Sequence, residues 1–152
     1  MKKLNTKKGF SLIELLVVIA IIGVLSAVGI TAYTGYTASA KEQAARTQFA
    51  QIVSLVNAEN AKCGVGSGTW AWGGACNTTY TAATVATHLY TSLGMKNPYD
   101  NTQTQSGFIT TTGSDPDADG EIDISVNGTE ITIKQRVNDT PTVLSQVVDK
   151  AS

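Results

Sequence analysis

Residues 7–30 read KKGFSLIELLVVIAIIGVLSAVGI. From Phe10 to Ile30 the only charged residue is Glu14, and from Leu15 to Ala40 there is none. A run of roughly 20 mostly apolar residues is long enough to cross a bilayer as a helix. This one is apolar on every face, which suits lipid or the core of a helix assembly rather than a soluble surface. A secretory signal peptide would have a shorter apolar region closed by small residues at a cleavage site. Here the apolar stretch passes into Thr31–Ala40 without such an ending.

Downstream the pattern changes without a break. Ala45, Phe49, Ile52, Val53 and Val56 recur at helical spacing, while Lys41, Glu42, Arg46, Gln48, Gln51 and Glu59 are polar. That is an amphipathic helix with one stripe free to cover a sheet. No proline precedes Pro98, so one helix is predicted from Phe10 to Ala61, about 75 Å long at about 1.5 Å per residue. Its first half is predicted to lie in the membrane and its second to support a soluble head.

Charge is divided just as unevenly. Of the eleven basic residues, Lys2, Lys3, Lys7 and Lys8 precede Gly9, and the remaining seven face twelve acids, a net charge of −5. Such a balance fits phosphate backbones poorly, since their binding depends on Lys and Arg. Lys96, Lys134, Arg136 and Lys150 are the only bases beyond residue 62, so nucleic acid is not the expected partner. Cys63 and Cys76 are the only cysteines. Beyond a membrane segment they fit an oxidising compartment and one disulfide, with two free small apolar residues as the alternative. Metal binding through soft ligands is not expected, because His88 is the only histidine and structural zinc needs four ligands.

The remainder, 63–152, reads as a globular head. Gly64, Gly66, Gly68, Gly73 and Gly74 end the helix and form a loop between the cysteines, in which Trp70 and Trp72 are expected to pack on the core. Ala82–Leu93 is predicted as a short helix carrying Val85, Leu89 and Leu93, with Gly94 as its stop and His88 in a structural place. Ile122, Ile124 and Val126 alternate with polar residues, as do Ile131 and Ile133, around Asn127-Gly128. This predicts a hairpin with a type I′ turn. A third strand is expected within Gly107–Thr112. Thr140-Pro141 opens a segment read as a short helix through Leu144, Val147 and Val148, with a strand as the alternative.

The segment KKGFSLIEL, residues 7–15, resembles the processing site of type IV pilins and type II secretion pseudopilins, and the similarity runs on through Lys41. The resemblance implies a leader, residues 1–9, removed by a prepilin peptidase between Gly9 and Phe10, with N-methylation of Phe10. Leader lysines would hold that end in the cytoplasm. It also implies that Glu14 meets the amino terminus of a neighbouring subunit during assembly. A carboxylate inside an apolar span usually marks function, although one turn from the helix start it can also stay hydrated. The expected fold is α+β and pilin-like: a long helix, residues 10–62 with its assembly part at 10–30, packed on a small antiparallel sheet. The expected partners are further copies in a helical filament, the peptidase and an inner-membrane assembly platform. The precursor would span the inner membrane once before entering an extracellular pilus or a periplasmic pseudopilus. Thr31 stands in GITAYTGY where the family often has proline, so a helix break there is not assured.

Function narrows accordingly. No nucleophile–base constellation, P-loop or dinucleotide fingerprint accompanies the lone histidine, so an enzyme is not expected. A pilus subunit for adhesion, motility or DNA uptake is the leading expectation. A major pseudopilin is the alternative, and a membrane-anchored binding module is the alternative of another class. The pseudopilin reading draws on KNPYD at 96–100 and on Asp115-Pro116-Asp117-Ala118-Asp119-Gly120. Asp115, Asp117 and Asp119, with Asp123, are candidate calcium ligands, because alternating carboxylates place hard oxygens in one short loop. Val126 occupies the position where an EF-hand loop needs glutamate, and a solvated acidic turn is the alternative.

Overall fold

The structure, a computed structural model, describes residues 9–65, 68–76, 80–128, 130–138 and 142–149. The leader before Gly9, Gly66, Thr140-Pro141 and Lys150 lie outside the described residues. The chain divides into two compact units, Met1–Ser39 and Ala40–Ser152.

Within the first unit the described residues from Leu12 onward are helical. Helix α1 runs from Leu12 to Gly64, 53 residues, and is long and apolar enough to cross a membrane. Its start is a reciprocal cap. The Ser11 backbone N–H donates to Glu14 Oε2 at 2.8 Å, and the Glu14 N–H donates to Ser11 Oγ at 3.4 Å. Ser at the cap and Glu three residues on satisfy two otherwise orphaned donors. Thr31 does not break the helix. Its hydroxyl donates to the Val28 carbonyl at 3.0 Å, and Thr34 and Thr37 repeat this one turn later each, at 2.9 Å.

In the second unit, Ala45, Ile52 and Val56 of α1 are fully buried, with Phe49 and Val53 half-buried beside them. The expected stripe is therefore the packed one, and it extends to Asn60, whose side-chain amide donates to the Asp149 carbonyl at 3.1 Å. Opposite lies a four-stranded sheet in the order β1 (Ile109–Thr110), β2 (Ile122–Asn127), β3 (Glu130–Val137), β4 (Thr142–Asp149). Ile122, Ile124, Ile131 and Ile133 are fully buried with Phe108 and Leu89. Each such side chain contributes about 1.5–3 kcal/mol on leaving water.

Five details differ from the sequence expectation. The sheet is mixed: β2–β3 and β3–β4 are antiparallel, but β1 pairs parallel to β2. The third strand shrinks to two residues, because Gln105–Phe108 forms a helical turn, α3. Beyond it the N–H groups of Thr112 and Gly113 donate to Asp123 instead of a ladder.

The hairpin register places Asn127 opposite Glu130, so the first central turn position is Gly128, with φ +62°. The positive φ that primed turns require therefore falls on glycine there, and Asn127 ends the strand.

Helix α2 covers only Ala82–Thr87, started by a Thr81–Thr84 capping box, and continues as a π turn over His88–Ser92. The Leu93 N–H bonds the His88 carbonyl, five residues back. This wider turn rotates later residues off the Val85–Leu89 stripe. Leu93 is consequently 47% exposed, and Met95 packs against the core instead.

Finally, the segment through Leu144, Val147 and Val148 is strand β4. The edge of β3 needs backbone partners, and β4 supplies them along eight residues. Val148 faces the core while Val147 is 48% exposed.

Candidate functional site

The amino-terminal site comprises Gly9, Phe10 and Glu14. Phe10 and Leu12 are 85% and 81% exposed, so the first turn of α1 offers an uncovered aromatic and aliphatic surface. Nothing lies within 4 Å of a Cβ built on Gly9, and backbone without a side chain is open to close approach. The Glu14 carboxylate lies against the Ser11 N–H, one residue from Phe10. Along the apolar part of α1 Leu15, Ile19, Leu25 and Val28 are all more than half exposed. An unpartnered apolar run of this size marks a membrane or association surface.

A family model described as the prokaryotic N-terminal methylation motif matches residues 4–30. The chain carries the N-terminal hallmark of type IV pilins and pseudopilins. Comparison with curated proteins and with solved structures returns no match. The matched motif thus spans part of the basic amino-terminal segment and the apolar part of α1 up to Ile30, and the rest of the chain stands on its own geometry.

In that head, Cys63 and Cys76 are joined by a disulfide, Cα to Cα 5.1 Å. The loop they close is pinned to α1 by Glu59, whose carboxylate accepts the Ala71 N–H at 2.7 Å and pairs with Lys62 at 2.6 Å. Trp70 and Trp72 stack at 5.3 Å, and Tyr80 meets them edge-on at 4.8 and 5.3 Å. Both indoles are buried, as core packing requires. Burial pushes the Tyr80 phenol up to about 12.

Three of the four candidate calcium ligands are engaged by other groups. Asp115 pairs with Lys134 at 2.9 Å and Asp119 with Arg136 at 3.2 Å. Asp123 is fully buried and accepts from the Thr110 and Thr112 hydroxyls and from the N–H groups of Thr112 and Gly113, at 2.9–3.2 Å. Asp117 is exposed. The residue that organises the turn was not singled out from sequence: the Glu121 carboxylate accepts the N–H groups of Asp117 and Ala118 at 2.8 and 2.9 Å. Among the described residues no group of three or more His, Cys, Asp or Glu is placed to hold a metal ion. Gly120 provides the sharp turn, with φ +78°.

Beneath this loop lies a second set of groups that periodicity could not reveal. Asn97 is buried and donates to Gln103 Oε1 at 2.7 Å and to the Asp119 carbonyl at 2.9 Å, while its Oδ1 accepts the Tyr99 N–H. Gln135, fully buried, donates to Gln48 Oε1 on α1 and to the Gly120 carbonyl. The KNPYD segment is therefore a fastening between α1, the acidic loop and the sheet. Asp100 within it is held below the usual carboxylate range by the Thr102 hydroxyl and N–H.

Proposed function

We propose that this chain is a structural subunit of a type IV pilus, made as a single-pass precursor in the inner membrane and polymerised through its amino-terminal helix into an extracellular filament. The observation that carries this is the methylation motif at residues 4–30 on a helix whose apolar surface is uncovered. A basic leader keeps the amino terminus inside, so the head lies outside. Prepilin peptidase would cut between Gly9 and Phe10, leaving a methylated amine beside Glu14. Copies joined head to tail through a contact that does not close form an open helical polymer. Gly23, Ser26, Ala27 and Gly29 let neighbouring helices approach closely. Mass spectrometry of assembled material tests the assignment: the expected N-terminus is methylated Phe10, and an intact leader would overturn it.

A second reading, a type II secretion pseudopilin, shares every amino-terminal feature. The acidic loop favours it, because Asp115, Asp117, Asp119 and Asp123 would serve calcium if Lys134 and Arg136 released their partners. Calcium binding is the measurement that separates the two.

A further inference from the structure

Charge is absent from a large part of the head. Between Lys62 and Lys96 the sequence contains no Asp, Glu, Lys or Arg, and none occurs from Asn101 to Ser114. Against one side of α2 and its π turn lies an open groove of about 510 Å³, lined by Trp72, Thr84, Thr87, His88, Thr91 and Ser92 with small residues around them. Part of its polar lining is not consumed internally. Among the described residues the His88 ring and the Ser92 hydroxyl have no hydrogen-bond partner. The Thr87 hydroxyl accepts from Gln105 at 3.2 Å and keeps its own proton to donate. Thr84 and Thr91 by contrast spend their protons on the Thr81 and Thr87 carbonyls. The π turn presents His88 and Ser92 to this groove, and Trp72 of the disulfide loop, 8% exposed, also lines it.

We propose that this groove binds a neutral pyranose ring of a surface glycan. Its lining combines an aromatic edge with donors and acceptors at fixed places, the usual composition of a small-ligand site. The imidazole supplies both a donor and an acceptor, and the two hydroxyls supply two more of each kind, which matches a polyhydroxylated ligand. Among the described residues no Lys or Arg lines the groove to meet a phosphate, sialate or acidic peptide, and no Asp or Glu lines it to meet an amine. An ion would enter without a counter-charge and lose hydration. The open shape admits one ring of a longer chain. The inference rests on the pilin reading only for the exposure of the head outside the cell.

The test is saturation-transfer NMR and calorimetry on the detergent-solubilised full chain. Maltose and N,N′-diacetylchitobiose are the neutral probes, with 3′-sialyllactose and glucosamine as charged ones. A neutral probe should bind with a dissociation constant of about 1 mM, as expected for one ring. Ser92→Ala and His88→Ala should each weaken it about fivefold, with the melting temperature unchanged, while Thr142→Ala on β4 leaves it as it was. Absence of saturable binding by both neutral probes overturns the proposal. So does binding that prefers the charged probes or survives both groove variants. A chain that binds sugar yet shows an intact leader in assembled material would leave the site standing and remove the pilus assignment.

Discussion

Gly120 shows how much a single backbone position decides. With φ +78°, a Cβ there would stand 2.0 Å from Asn97 Oδ1. Gly128 has a similar φ of +62° but nothing within 4 Å of the same position. Gly120→Ala should therefore lower stability by about 3 kcal/mol and the melting temperature by roughly 10 °C. Gly128→Ala, which bears the backbone cost alone, should lose about 1 kcal/mol. Equal losses in thermal melts of the solubilised full chain would refute the steric role of Asn97. Glu14 joins two roles at one carboxylate, the cap on Ser11 and the proposed pairing with a neighbour's amine. Glu14→Gln separates them, because glutamine at the third helical position preserves a capping box. Helix content should stay the same while the yield of sheared filaments falls at least about tenfold. Wild-type filament yield would leave Glu14 as a cap only. Glu14 as a lone carboxylate in an apolar run was legible in the sequence, whereas its cap on Ser11 was not singled out there. The Asn97–Gly120 contact was not, since the two residues are brought together only by the folding of two separate loops.

At the scale of elements, the disulfide loop is the head's stapled part. Cys63 and Cys76 enclose a loop about a dozen residues long, and linking them stabilises the fold by about 3 kcal/mol in the chain-entropy model. Replacing both with serine should cost about that much and shift tryptophan emission to the red, because Trp70 and Trp72 belong to the loop and are buried in it. Unchanged emission and melting would mean that Glu59 and the aromatic stack suffice. The other elements show where periodicity is decisive and where it is not. Ile122–Val126 and Ile131–Ile133 alternate strictly, and the hairpin follows from that. The segment from Thr142 to Asp149 has valines that satisfy helical and extended spacing alike, and the open edge of β3 selects the strand. Likewise Val85 and Leu89 predict a helix, but the π turn that turns Leu93 outward depends on packing that no spacing encodes.

Over the whole molecule, the acidic loop is where the two proposed readings make different predictions. Asp115 and Asp119 are already neutralised by Lys134 and Arg136, and Asp123 is saturated by hydroxyl and N–H donors. Millimolar calcium should accordingly leave the melting temperature within about 1 °C of its value with chelator, since stabilisation by linkage needs binding to the folded state. A larger shift with a heat of binding would favour the pseudopilin assignment. Surface ion pairs of this kind contribute about 0–1 kcal/mol each, so their importance lies in occupying the carboxylates more than in stability.

What the sequence by itself determined is the amino-terminal third and the class of the fold. Basic residues before Gly9-Phe10, Glu14 and an uncharged apolar run beyond it form a local, contiguous signal. The amphipathic stripe of α1 and the hairpin are likewise written in spacing, because burial on one face imposes period 3.6 or 2 on the residues themselves. The tertiary structure decided the parallel pairing of β1, the strand identity of β4, the dispersal of the aspartates onto lysine, arginine and backbone partners, and the groove beside the π turn. Each depends on which distant groups meet, such as Asp123 with Thr112 or Gly120 with Asn97. Hydrogen bonds and side-chain volume act over a few ångströms of space, whatever the separation along the chain.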